Sequence, residues 1–102
     1  MDIKSLLFRE ITTERYRFHL RDYDAENVVF YGETKKFYGN KGGYCNNNLV
    51  LTREFIENEE ALVITDALAS LMDGLLADAI EHAIAMGDLK KSDIIEGRER
   101  KE

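Results

Sequence analysis

From Asn58 to Gly87 apolar residues recur at every third or fourth position, with no proline anywhere in the chain. That spacing matches the α-helical turn and predicts one long amphipathic helix. Asn58 suits the N-cap, Glu59 and Glu60 suit the first turn, where a carboxylate favours the helix dipole, and Gly87 suits the position just past the end. Ile64, Leu68, Leu71, Leu75, Ala79 and His82 form one row, with Thr65, Ala69, Met72, Leu76, Ile80 and Ala83 beside it. The polar side, Asp66, Ser70, Asp73 and Glu81, is narrow.

Such a helix constrains everything else. About 28 residues at ~1.5 Å each reach about 40 Å, whereas a domain of about 100 residues has a radius of gyration near ~13 Å. A straight helix of that length overhangs a small sheet, and its apolar surface predicts a two-fold homo-oligomer. The expected interface is Leu68, Leu71, Met72, Leu75, Leu76 and Ala79. The alternative is a kink near Gly74 that folds the helix back on its own sheet.

The N-terminal part has a different period. Asp2 can cap a short helix carrying Ile3, Leu6, Leu7 and Ile11 on one side. In "RYRFHLR", Arg15, Arg17, His19 and Arg21 alternate with Tyr16, Phe18 and Leu20, which predicts a half-buried strand with one cationic and one aromatic face. "VVFYGETKKFYG" reads as one long strand or two with a break near Gly32, "GNKGG" as a turn, and "LVLTREF" as the last strand. The expectation is a single α+β domain over residues 1–102. It comprises a short helix (1–13), a small antiparallel sheet of three or four strands (14–56) with a loop or hairpin at 35–48, a long helix packed on the sheet (58–87), and a short helix with a charged tail (88–102).

Charge and cysteine usage exclude several functions. The net charge is −6. Met1–Thr52 holds eight Lys and Arg against seven Asp and Glu, and Arg53–Glu102 holds six against thirteen, so no basic surface for direct nucleic-acid binding is expected. Cys45 is the one cysteine and cannot close an internal disulfide. The acids inside the long helix exclude a membrane span, the N-terminal charges do not fit a signal peptide, and a cytoplasmic location is expected. The order helix–three strands–helix resembles the double-stranded-RNA-binding domain in topology. That family presents lysines at the start of its second helix, where this chain has Asn58, Glu59, Glu60 and Ala61, so the resemblance implies no RNA binding here.

No nucleophile motif, P-loop or paired-carboxylate pattern is present. Asp78 and His82 stand four residues apart on the helix but lack a third ligand, so no metal or other cofactor is expected. The protein reads as non-catalytic. Its sharpest ligand feature is "KKFYGNKGGYCNNN", Lys35–Asn48, whose lysines could meet an anion, whose tyrosines could stack on a base and whose asparagines could bond a base edge or ribose. The expected binding set is Arg15, Arg17, Lys35, Lys36, Tyr38, Lys41, Tyr44, Asn46 and Asn48, for a small phosphorylated, nucleotide-like ligand sensed or sequestered by a homo-oligomer. The alternative is a hairpin loop there, and a small acidic inhibitor or adaptor that docks Glu57, Glu59, Glu60, Asp66 and Asp73 on the basic surface of a larger nucleic-acid-processing protein.

Overall fold

The structure, a computed structural model, describes residues 1–7, 9–37, 44–90 and 98–99, with residues 36–37 and 98–99 described by their backbone. Its elements are a 3-10 turn (Ile3–Leu6), β1 (Glu10–Thr12), β2 (Tyr16–Tyr23), β3 (Asn27–Thr34), β4 (Lys36–Phe37), β5 (Asn46–Thr52), α1 (Arg53–Asn58), α2 (Ala61–Ala85) and β6 (Arg98–Glu99). The α+β class expected from the sequence is the one observed. Strands β1-β2-β3-β5 form an antiparallel sheet in that order, and β4 pairs with β6 separately.

Alternation decides which side of the sheet is covered. Tyr16 and Phe18 on β2, Val28 and Phe30 on β3, and Leu49 on β5 are buried, together with Ile64, Leu68, Met72 and Leu76 of α2. The helical residues are spaced by four and make one stripe along α2. Thr34 is the buried polar residue of the sheet, and its Oγ1 accepts from the Cys45 N–H at 3.1 Å.

Gly32 lies opposite Phe18 in the β2–β3 ladder. A Cβ there would stand 2.9 Å from Phe18 Cδ1 and Cε1 and 3.1 Å from the Met72 sulfur. The missing side chain is therefore the space into which a fully buried ring and α2 both settle. Strand β3 runs through Gly32 without the break that the glycine suggested.

Four expectations change at the element ends. The N-terminal helix is only a 3-10 turn, in which Ile3 and Leu6 share the buried side and Leu7 is exposed. Ile11 belongs to β1, opposite Phe18, because Thr13 makes a tight hairpin: its Oγ1 accepts from the N–H groups of Arg15 and Tyr16. Arg53 to Phe55 are helical, not strand, because the Thr52 hydroxyl caps α1 by accepting from the Phe55 N–H at 3.2 Å. Asn58 ends α1 and Glu60 is the N-cap of α2; extended backbone at Glu59 and Glu60 lets both Ile56 and Ile64 reach the core, where each is fully buried.

The end of α2 follows the glycine. Gly87 has φ +79°, its N–H donates to the Ile84 carbonyl and the Asp88 N–H to the Ala83 carbonyl. That paired closure needs a left-handed residue, which glycine supplies without a Cβ penalty. Leu89 follows and is buried. Among the described residues no helix is long and apolar enough to cross a membrane.

The turn between β2 and β3 is held by Asp24, whose carboxylate accepts from the N–H groups of Glu26 and Asn27, both at 2.8 Å. Those two bonds hold its carboxyl below the usual range. A depressed folded pKa means that the contribution is present above the unfolded value near ~3.9 and is lost as pH falls through the folded value. The protection of the Glu26 and Asn27 amides relative to their intrinsic exchange rate is therefore expected to fall as Asp24 protonates on acidification below about pH 4, before that of the core amides, as read by NMR. In the core, Gly32→Ala is expected to destabilise the domain by about 1–3 kcal/mol through overpacking, measured by urea unfolding.

Candidate ligand-binding face

The face of the sheet turned away from α2 carries Arg17, His19, Arg21 and Asp22 from β2, Val29, Tyr31 and Glu33 from β3, and Asn46, Asn48 and Val50 from β5. The period-2 alternation that buried Phe18, Phe30 and Leu49 puts these residues on the opposite side. His19, Tyr31 and Asn48 are direct cross-strand neighbours and form one row across three strands. The His19 and Tyr31 rings lie 5.3 Å apart at 48°.

Arg21 sits in a bulge, where Leu20 pairs with Phe30 but Asp22 already pairs with Val29. The extra residue brings Asp22 onto the open face beside the arginine. Arg21 has its guanidinium carbon 5.7 Å from the Tyr31 ring centroid, and its Nη1 donates to Asn48 Oδ1 at 2.9 Å. One tyrosine ring is thus flanked by an imidazole and a guanidinium, with an amide next to it.

Arg17 is compensated on the same face. Its Nε lies 3.2 Å from Glu33 Oε1 and 3.9 Å from Glu10 Oε1. The purely cationic face that the β2 alternation suggested is therefore balanced by carboxylates from both neighbouring strands. The charge left most available to an anion is at Arg21.

The expected binding residues divide. Arg17, Asn46 and Asn48 come together on the open face. Arg15 does not: it precedes β2, its Nη1 meets Asp73 Oδ1 of α2 at 3.2 Å, and its guanidinium stacks over Tyr16. Tyr16 donates its hydroxyl to the same carboxylate at 2.5 Å. Lys35 lies at the end of the sheet, its Nζ donating to the Thr13 carbonyl at 3.2 Å. Lys36 pairs through its backbone with Glu99, and Tyr44 is partly exposed next to Cys45. Tyr38 and Lys41, with the rest of the glycine-rich turn, lie outside the described residues, as does most of the C-terminal tail.

Tyr31 is the residue sequence reasoning passed over. The signal was available: Tyr31 alternates with the buried Phe30, so an inward Phe30 forces an outward Tyr31. The alternation of β2 already puts Arg21 on this face, whereas the bulge that adds Asp22 beside it is not marked in the sequence pattern.

The residues of the expected helix interface do not share one exposed face. Leu68, Met72 and Leu76 are buried against the chain's own sheet, Leu75 packs partly on that core, Ala79 is half-buried, and Leu71 is 41% exposed. The sheet is wider than three short strands, and it takes up the stripe that the helix length had assigned to a partner.

Among the described residues no group of three or more His, Cys, Asp or Glu could hold a metal ion. Cys45 is buried, and burial pushes its thiol pKa up. It faces the core, whereas His19 faces out from the other side of the sheet, so the two are not a nucleophile–base pair. No protein-family model matches this chain, and comparisons with curated proteins and with solved structures return no significant match.

The Cys45 environment makes a kinetic prediction. In native buffer near neutral pH its reaction with a disulfide reagent is expected to be at least ~10-fold slower than in urea, because the neutral buried thiol is the weaker nucleophile; stopped-flow absorbance reads both rates.

Proposed function

We propose that the protein is a non-catalytic binding protein, acting as a homo-oligomer, that senses or sequesters a small anionic, nucleotide-like ligand on the open face of its sheet. The observation that carries this reading is the row His19–Tyr31–Asn48 with Arg21 bonded to Asn48 and lying over Tyr31. A planar base stacks on the Tyr31–His19 surface, the amides of Asn46 and Asn48 meet its polar edge, and Arg21 meets the phosphate. The near balance of charge elsewhere on the face favours a small ligand over a long polyanion, which needs many uncompensated cations.

The acidic adaptor reading rests on a different surface. Leu62 and Val63 are exposed at the start of α2, between Glu59, Glu60 and Asp66, and α2 carries no lysine or arginine. An apolar patch with an acidic rim suits a basic protein partner. Asp73, by contrast, is engaged with Tyr16 and Arg15 within the fold.

Titration calorimetry with ATP, GTP and their monophosphates, with inorganic phosphate as the control for charge alone, tests the ligand reading. Tyr31→Ala is expected to weaken nucleotide binding about 10-fold or more, since base stacking contributes ~1–3 kcal/mol. Arg21→Ala is expected to weaken the phosphorylated ligands and to spare a nucleoside. Glu59→Lys with Glu60→Lys is expected to leave both unchanged. Nucleotide affinity indifferent to Tyr31 and Arg21, or no nucleotide binding at all, overturns it.

A further inference from the structure

We infer that two copies of this chain join through the outer edge of β5, in antiparallel register centred on Leu49, to make one continuous sheet. The inference rests on the self-association in the proposed function and gives it a surface other than the helix stripe, which the monomer's own core occupies.

The backbone alternation fixes what β5 offers. The Arg53 N–H donates to the Glu26 carbonyl at 2.8 Å and the Thr34 N–H to the Cys45 carbonyl at 2.9 Å. The hydrogen-bonding positions facing β3 are therefore Asn47, Leu49 and Leu51. In an antiparallel ladder the intervening residues turn their backbone groups the other way. Asn46, Asn48 and Val50 thus present N–H and C=O outward and Thr52 its N–H, the Thr52 carbonyl being the first acceptor of α1; no other strand among the described residues pairs with that edge.

Edges are commonly guarded by charge, proline, bulges or shortness. Edge β1 spans Glu10–Thr12 and begins on a carboxylate. Edge β5 spans Asn46–Thr52, with no charged residue, proline or glycine and no bulge in its pairing with β3. Val50 projects from it at 55% exposure. Its one local guard is the Asn47 side chain, whose Oδ1 accepts from the Asn48 N–H at 2.9 Å; pairing exchanges that bond for a carbonyl of the second copy.

Self-complementarity selects a second copy as the occupant. A two-fold axis through Leu49 sets Asn46 opposite Thr52 and Asn48 opposite Val50, so Asn48 and Val50 exchange both backbone bonds and each Thr52 N–H meets an Asn46 carbonyl. Registers centred on Asn48 or Val50 leave an outward residue unpaired at the end. Side chains keep their faces: Leu49 meets Leu49 and Asn47 meets Leu51 on the core side, while the polar and small residues meet on the open side. The chain carries a net charge of −6 concentrated in its helical half. Contact through β5 joins the copies along a strand that carries no charge of its own. It also runs the Tyr31–Asn48 rows of the two open faces into one surface.

Sedimentation velocity and native mass spectrometry of the full chain, with residue-resolved amide exchange, test this. The expected result is a dimer in which the amides of Asn48, Val50 and Thr52 gain protection as concentration rises. Val50→Pro removes an outward N–H and none of the bonds to β3, and is expected to weaken dimerisation more than ~10-fold while the circular dichroism of the fold is kept. Val50→Lys, which places a charge on the same edge, is expected to do the same and serves if the proline variant fails to fold. A monomer at millimolar concentration overturns both the edge and the self-association. A dimer that survives both folded variants, with those amides still exchanging freely, overturns the edge alone and moves the contact to another surface, such as the exposed residues of α2. A peptide or protein from another source pairing with the β5 edge of a chain that stays monomeric on its own also overturns it.

Discussion

Everything in this fold is arranged around a place where a side chain is missing. Gly32 opens a gap on β3, Phe18 lays its ring against that gap from β2, and Met72 brings the sulfur of α2 onto both. Close packing makes this contact decisive, because a buried ring has nowhere to retreat. It sets how near α2 approaches and which strands it crosses. It also sets which side of the sheet is inside. Once Phe18 and Gly32 face the helix, the neighbouring residues His19, Tyr31 and Glu33 must face away.

The open face is therefore a by-product of the core, and its chemistry is what remains after the apolar residues have turned inward. Two features then adjust it. Cross-strand carboxylates at Glu10 and Glu33 hold Arg17, while the bulge sets Asp22 on the same face as Arg21, which lies over Tyr31 and bonds Asn48. A face that reads as uniformly cationic along β2 becomes an aromatic and amide surface with one cation at its edge. The strand that completes this surface, β5, is also the less guarded edge of the sheet, so the proposed ligand face and the proposed edge contact share Asn48.

The polar contacts within the fold tie its layers together at the ends. Tyr16 and Arg15 share Asp73, linking the start of β2 to the middle of α2. Arg53 bonds Glu57 along α1, donates to the Asp24 carbonyl and covers the Tyr23 ring, linking α1 to the β2–β3 turn. These pairs are half exposed and individually modest. They fix the angles at which elements enter the core, whereas the apolar stripe supplies most of the stabilisation.

By itself, the sequence determined the α+β class, a strand over Arg15–Arg21 that the fold extends to Tyr23, the long helix and its glycine stop, since each rests on a local period or a local backbone requirement. The period of two also separates Tyr31 from Phe30, although which of them faces the open side depends on where the helix packs. Tertiary structure alone decided that the N-terminal segment splits into a 3-10 turn and an edge strand, that Thr52 starts a separate short helix, and that Leu68, Met72 and Leu76 are consumed by the chain's own sheet. It also drew Arg15 to the helix, placed carboxylates beside Arg17 and brought Arg21 to Tyr31. Those outcomes join residues far apart in the chain, and the contacts that choose among locally equivalent conformations exist only once the layers have met.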